Sequence, residues 1–360
     1  MVVGAGASGL AAAAALRRLG REPVVLERDE RVGGTWSRRY DRLCLHTVRR
    51  FSGLPFDPMP RSFPRYVPKD LYAQYLAGYA ERSGLTVRTG QRVERIRQEG
   101  DGWVVELEND VVQARVVVVA TGRHNEWCLP PWPGTDAFRG TLLHSAEYTS
   151  GRELAGKSTL VVGLGNSGAE IAADLVEQGT ASVAVAVRTV PPITSREIAG
   201  IPVQLFGMLF DPLPASLVDR LGARLRRLGT GDLRPYGLGK EAWGPFTARR
   251  PPVIDVGFLG QLKAGRIEIL PALVSLTEDG ATFADGSERQ FDAIVAATGF
   301  GTALQRLVDA RGAVDERGYP RPGVHPGLFF AGYAETPRGQ LFESSRSSTR
   351  LSKAIDRYLG

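Results

Sequence analysis

The chain has 360 residues, 43% of them apolar and 23% charged, with 43 glycines and 23 prolines. That is enough for two domains with their own cores, and it excludes a disordered chain in favour of a loop-rich, soluble α/β protein. Lys and Arg outnumber Asp and Glu by 45 to 39, a net +6, but the cations are scattered, with no basic helix and no aromatic–basic interleaving, which argues against nucleic acid as a partner.

The opening MVVGAGASGLAAAAALRRLG predicts a strand over Met1 to Val3, a glycine turn at 4–9 and an alanine-rich helix ending near Gly20; EPVVLERDE supplies the next strand. Three residues fall short of the usual strand of about five or six, so either the true start lies upstream or the strand is truncated. Residues 68–83 read as an amphipathic helix opened by Pro68. Strands are expected near 85–88, 91–97 and 103–107, followed by ARVVVVATG at 114–122 and the proline-rich NEWCLPPWPG.

A second unit opens at Gly156, where KSTLVVGLGNSGAEIAADLVEQG and ASVAVAVRT repeat the strand, glycine turn, helix and strand. In LFGMLFDPLPASLVDRLGARLRRLG (205–229), Asp211, Pro212 and Pro214 interrupt any single helix. That stretch is read as a helical pair packed on the second domain, a lid over an apolar substrate, or a membrane contact. Lys240 to Gly260 is loop-rich with a possible helix after Asp255, and strands are expected at 266–270 (RIEIL) and 290–299 (QFDAIVAATG). LFFAGY (328–333) and a helix from about Glu343 to Tyr358 close the chain. The likeness of AIVAATG to VVVVATG predicts that both return to the first sheet. The expected fold is therefore α/β, two nested Rossmann-like dinucleotide-binding domains: a discontinuous first domain (1–152 and 281–360) and an inserted second domain (153–280).

Cys44 and Cys128 are the two cysteines and lack CxxC spacing, which argues against a redox dithiol or thiolate metal site and favours a reducing compartment; no metal is expected. No secretory leader is read, and the longest apolar stretch, Ile201 to Leu221, is broken by charges and prolines. A cytoplasmic protein without stable membrane insertion, monomeric or homodimeric, is the expectation.

In GAGASG, Gly4 permits the tight turn, Gly6 lets the backbone approach a diphosphate, and Gly9 allows close helix packing, so that the diphosphate meets the helix N-terminus. Glu27, 23 residues after Gly4, suits an unphosphorylated adenosine ribose, as in FAD or NAD. In the second copy, GLGNSG (Gly163, Gly165, Gly168), the strand-end residue is Arg188, 25 residues after Gly163. A guanidinium there fits a 2′-phosphate, which predicts NADPH over NADH.

Beyond these turns the chain resembles class B flavin-dependent monooxygenases, and within them the YUCCA-type branch of indole-3-pyruvate monooxygenases. The resemblance is carried by RVGGTW (31–36), YDRLCLH (40–46), the ATG turns ending at Gly122 and Gly299, GNSGAE (165–170), and the FxGxxxHxxxY pattern running from Phe138 through Gly140 and His144 to Tyr148. It implies FAD and NADPH as cofactors, O2 and a small organic molecule as substrates, and oxygenation through a C4a-(hydro)peroxyflavin. Ser8, Arg28, Gly34, Thr35, Trp36, His46, Thr298, Gln340 and Leu341 are expected cofactor contacts, Trp36 being read equally as a core aromatic, while Asn166 and Ser167 reach the dinucleotide or the opposing flavin, or else cap their helix. His46, Thr47, His144 and Asn166 are the candidate catalytic residues; His144 is read equally as a linker and His46 as a local contact.

The favoured reaction is oxidative decarboxylation of an aryl 2-oxo acid such as indole-3-pyruvate. The alternatives are N- or S-oxygenation in a specialised biosynthetic pathway and, less so, Baeyer–Villiger oxidation, whose members carry Trp followed by Pro or Asp where this chain has Tyr148-Thr149. A non-turnover flavin-binding redox sensor or structural subunit is the alternative of another class.

Overall fold

The computed structural model describes every residue except Cys128, Asp211, Pro212, Glu335 and Pro337, so the expectations placed on the Cys128 thiol and on the break at Asp211 and Pro212 lie outside the described residues. Two five-stranded sheets, parallel throughout, organise the chain. The first runs Leu328–Phe330, Val117–Val119, Val2–Val3, Val24–Leu26, Thr86–Arg88. The second runs Glu268–Leu270, Ser182–Ala186, Ser158–Val162, Ala293–Ala296, Thr141–His144. Both are Rossmann-type units. Strands covered on both faces are apolar at every position, as in Val117–Val119 and Ala293–Ala296, which are buried throughout. Val2–Val3 suffices as a strand because it is paired on both sides, with Val25 and Leu26 and with Val118 and Val119.

Ala293–Ala296 corrects the expected domain division. It does not join the first sheet but lies between Ser158–Val162 and Thr141–His144. The second sheet thus draws on residues 141 to 296, and boundaries at 152/153 and 280/281 each leave one of its strands on the wrong side. A fully buried parallel strand has no polar face to mark its neighbours, so the repeated ATG ending carries no information about which sheet it enters.

The alanine-rich helix Ala7–Arg17 is buried from Gly9 to Leu16 because the C-terminal helix Gln340–Leu359 lies against it. Small residues face one another across this contact: Ser344, Ser348 and Ser352, four apart, are buried on the second helix. Two of these hydroxyls are satisfied within their own helix, Ser348 on the Ser345 carbonyl at 2.7 Å and Ser352 on that of Thr349 at 3.1 Å, so the serines cost no unpaired polar group. Ser344 instead meets Ser8 at 2.8 Å, just past the first glycine turn.

Two further sheets flank the parallel ones: a mixed one, with Val93–Glu99, Gly102–Leu107 and Val111–Ala114 antiparallel and the edge strand Val308–Asp309 parallel to Val93–Glu99, and an antiparallel one of Leu273–Leu276, Gly280–Phe283 and Glu288–Gln290. The 205–229 stretch forms two helices, Val203–Phe210 and Ala215–Thr230, the second opened by Pro214 and packed on Ile193–Ser195. Among the described residues no helix is long and apolar enough to cross a membrane.

Candidate active site

The two glycine turns have the same geometry. Gly4 and Gly163 take φ +104° and +105°, and a Cβ at either would stand 2.7 Å from a carbonyl oxygen, of Ala120 or Ala297. Both oxygens belong to the residue preceding the Thr-Gly of an ATG turn, so each turn is backed by its own copy of that motif. A Cβ at Gly9 or Gly168 would lie 1.9 or 2.0 Å from the carbonyl of Gly4 or Gly163, which fixes glycine where the helix crosses its strand. At Gly6 and Gly165 a Cβ would meet nothing within 4 Å. Neither following helix has a side-chain cap, so amides at both N-termini are left for an anion. Two open cradles with uncapped amides fit the diphosphates of two dinucleotides.

Both turns line one cleft of about 2760 Å³, against ~300–1,000 Å³ for a drug-sized ligand site. Glu27 sits at its rim, with Oε2 accepting from the Ala5 amide at 2.6 Å and Oε1 from the Asp29 amide at 3.0 Å, which ties the second strand's end to the first turn. Arg28, Gly34, Thr35 and Trp36 line the same end; Arg38 clasps Asp29 at 2.7 Å, and Trp36 meets Tyr72 edge-on at 4.7 Å. Gly122, Gln340 and Leu341 complete it, with Gln340 donating to the Gly332 carbonyl at 2.8 Å. At the other end Arg188 is exposed to the cleft and makes no ion pair or hydrogen bond among the described residues. Thr298, Gly299 and Ser167 line the wall between the turns.

The units meet across a buried carboxylate. Glu170, one turn into the helix Asn166–Glu177 that follows the second glycine turn and 2% exposed, accepts from His46 Nε2 at 2.5 Å. The Tyr40 hydroxyl is within hydrogen-bonding reach of Ser167 and Glu170; burial first, and the Glu170 charge second, push it well above its ordinary range, so it stays protonated. Asn166 lines the cleft, and its Oδ1 accepts from the Ile254 amide at 2.7 Å, fastening the helix start to Val253–Asp255 rather than capping it. Thr47 bonds Ser52 at 2.6 Å and lies against Gly339. Gln204, buried on the Val203–Phe210 helix, accepts from the Val48 amide at 3.1 Å and donates to the Arg338 carbonyl at 2.9 Å.

Of the two readings of His144, a contact on the nicotinamide side and a linker, its surroundings favour the linker. It is 0% exposed and does not line the cleft. Trp127 stacks on it at 4.9 Å with planes 5° apart, and Phe300 meets it edge-on at 5.1 Å. Its Nδ1 accepts from the Ala146 amide at 3.1 Å, which places the ring proton on Nε2, and burial lowers its pKa. His144 is thus a neutral structural residue. His46 and His124 do line the cleft, and the pKa of His124 is held down to about 4 by burial first and then by Arg39 and Arg123. His124 also packs on Phe300, and Arg39 lies over that ring at 4.8 Å.

Sequence reasoning passed over Glu170, Tyr40, Gln204 and His124. Only Glu170 carried a local signal: a carboxylate in the otherwise apolar run AEIA.

Two Rossmann-type units opening onto one cleft, without a CxxC dithiol, define a flavin- and nicotinamide-dependent oxidoreductase. A family model described as pyridine nucleotide-disulphide oxidoreductase matches residues 1–197. The chain is 39% identical to indole-3-pyruvate monooxygenase YUCCA1 of Oryza sativa subsp. japonica, over 96% of this chain and 88% of that protein. It is 34% identical to the probable indole-3-pyruvate monooxygenase YUCCA10 of Arabidopsis thaliana, over 89% and 86%. A double-substitution variant of a flavin monooxygenase from Stenotrophomonas maltophilia superposes with a TM-score of 0.77 at 26% identity, covering 100% of this chain and 98% of that one. The chain belongs to the class B flavin-dependent monooxygenase family, is closely related to the YUCCA-type enzymes, and is an NADPH-dependent monooxygenase.

Proposed function

We propose that this monooxygenase carries out the oxidative decarboxylation of an aryl 2-oxo acid, with indole-3-pyruvate as the reference substrate. In the balanced reaction the 2-oxo acid, O2, NADPH and a proton give the carboxylic acid one carbon shorter, CO2, water and NADP+. The observation that carries this reading is the aromatic part of the cleft's lining. Phe206, Phe210, Trp243 and Phe246 belong to it, and the Arg250 guanidinium lies 4.8 Å over the Trp243 ring. An aromatic group and a carboxylate on one small molecule match that lining.

FAD, when bound, supplies hydride acceptance from NADPH and the activation of O2. The protein's residues bind, orient and shield. The amides after Gly4 and Gly6, with Glu27 at the rim, would hold FAD; those after Gly163 and Gly165, with Arg188, would hold NADPH and favour it over NADH. His46, Glu170 and Tyr40 tie the units together through a hydrogen-bonded bridge, and Thr47, held by Ser52, and Gln204, held by the Val48 amide, line the cleft and would help shield it from water. Asn166 and Ser167, at the helix start between the two ends, would orient the nicotinamide side.

The test is anaerobic bleaching of the purified yellow protein by NADPH, followed by oxygen uptake with 2-oxo acids, amines and sulfides and product mass. Loss of CO2 from the 2-oxo acid is expected. A gain of one oxygen on an amine or sulfide, with no turnover of any 2-oxo acid, would refute the proposal.

A further inference from the structure

Leu217, Leu221, Leu225 and Leu228 recur at helical spacing on one side of Ala215–Thr230 and are 42–84% exposed. Ile201, Leu209 and Leu213 on the preceding segment are exposed as well. Among the described residues, seven of the fifteen exposed large apolar side chains therefore fall between 201 and 228. Single exposed leucines need no explanation, but a contiguous patch does. The helix is not free to roll and bury them. Its opposite side is fixed by Thr230 and by Arg226, which is buried and paired with Glu241 at 2.6 Å.

Arg220, Arg224 and Arg227 flank the leucines and are exposed, with no ion pair among the described residues. The helix's one carboxylate, Asp219, is taken up by the Phe246 and Thr247 amides and the Thr247 hydroxyl at 2.7–2.9 Å. The exposed side thus offers leucine and arginine and no free acid.

We propose that this helix docks the protein on an anionic lipid surface, lying in the interfacial plane with its leucines among the acyl chains and its arginines on the headgroups. A second copy of the chain suits the patch poorly, because two-fold pairing sets the three arginines against their own equivalents. Leu213, Leu221 and Leu225 also line the cleft, so docking brings the cleft's mouth to the lipid. The proposal goes beyond the oxygenation reaction and does not depend on which substrate is oxygenated.

Flotation of the purified flavoprotein with vesicles tests it. Vesicles of phosphatidylcholine containing about one-third phosphatidylserine are expected to carry the protein upward, pure phosphatidylcholine vesicles are not, and high salt releases it. Leu217→Asp with Leu228→Asp, neither lining the cleft, is expected to lower the bound fraction at least ~tenfold while flavin content and bleaching by NADPH stay unchanged. Arg220→Gln with Arg227→Gln, which spares the leucines, is expected to weaken binding and its salt dependence together. Failure of the native protein to float, or binding that survives both double variants, overturns the proposal. So does a concentration-dependent dimer in sedimentation velocity that Leu217→Asp with Leu228→Asp abolishes, because the leucines would then cover one another.

Discussion

Alanine at the six turn glycines should separate ligand space from packing space. Gly6 and Gly165 have extended backbone, φ −74° and −96°, which alanine adopts freely, and a Cβ there meets no protein atom within 4 Å. Gly→Ala at such a position stabilises by about 0.4–1 kcal/mol through the unfolded chain. At ~2–4 °C per kcal/mol, the deflavinated Gly6→Ala protein should melt at the native temperature or up to roughly 4 °C above it. Gly9→Ala is the opposite case: its Cβ would sit 1.9 Å from the Gly4 carbonyl oxygen, where real Cβ contacts stay beyond 3.0 Å. The helix must move by about an ångström, and overpacking of this kind costs about 1–3 kcal/mol, a fall of roughly 2–12 °C. Flavin affinity should drop at least ~tenfold in both variants, in Gly6→Ala because the new methyl occupies the diphosphate's path. Scanning calorimetry of deflavinated protein and titration with FAD read the two effects separately. Gly6→Ala that binds FAD with native affinity would refute the assignment of that open space, and Gly165→Ala with NADPH is the matching test of the second turn.

Arg188→Ala should reduce the NADPH-to-NADH preference at least ~tenfold, read as the ratio of kcat/KM values with NADH turnover unchanged, since a charge-assisted bond is lost only with the phosphorylated ribose. Glu170→Gln keeps the shape but loses the charge beside His46 in a site where Glu170 is 2% exposed; a fall in stability of about 1–3 kcal/mol by urea unfolding is expected, and native stability would show that the bridge contributes nothing. His124 binds its proton at about 4 in the folded protein and at 6.5 as a free side chain. Between these values the unfolded chain holds more protons, so this histidine withdraws stability as pH falls from 6.5 toward 4. His124→Gln should flatten the melting temperature against pH across that window, and an unchanged slope would rule out His124 as its source.

The turns were legible because their chemistry is local: only glycine tolerates φ near +105° or a backbone within 2 Å of its missing Cβ. Glu27 and Arg188 were legible because a strand-end position is set by counting from the turn. The sheet that Ala293–Ala296 enters was not, since Val-Val-Val and Ala-Ile-Val-Ala look alike whichever neighbours they pair with. The His46–Glu170 contact joins residues 124 positions apart, and nothing in either segment names the other. The two readings of His144 could not be separated in sequence for a related reason: whether a histidine lines a cleft or sits behind it depends on Trp127 and Phe300, which pack on it only once the fold has formed.

The order in which the chain is made gives the serine-to-alanine helix contact a temporal meaning. A nascent polypeptide has every strand of the second sheet in hand by Ala296, while the first sheet still awaits Leu328–Phe330 at its edge and the helix whose Ser344 meets Ser8. The unit built on the second sheet can therefore mature during synthesis ahead of its neighbour, while the first glycine turn waits for the Gln340–Leu359 helix that packs against it.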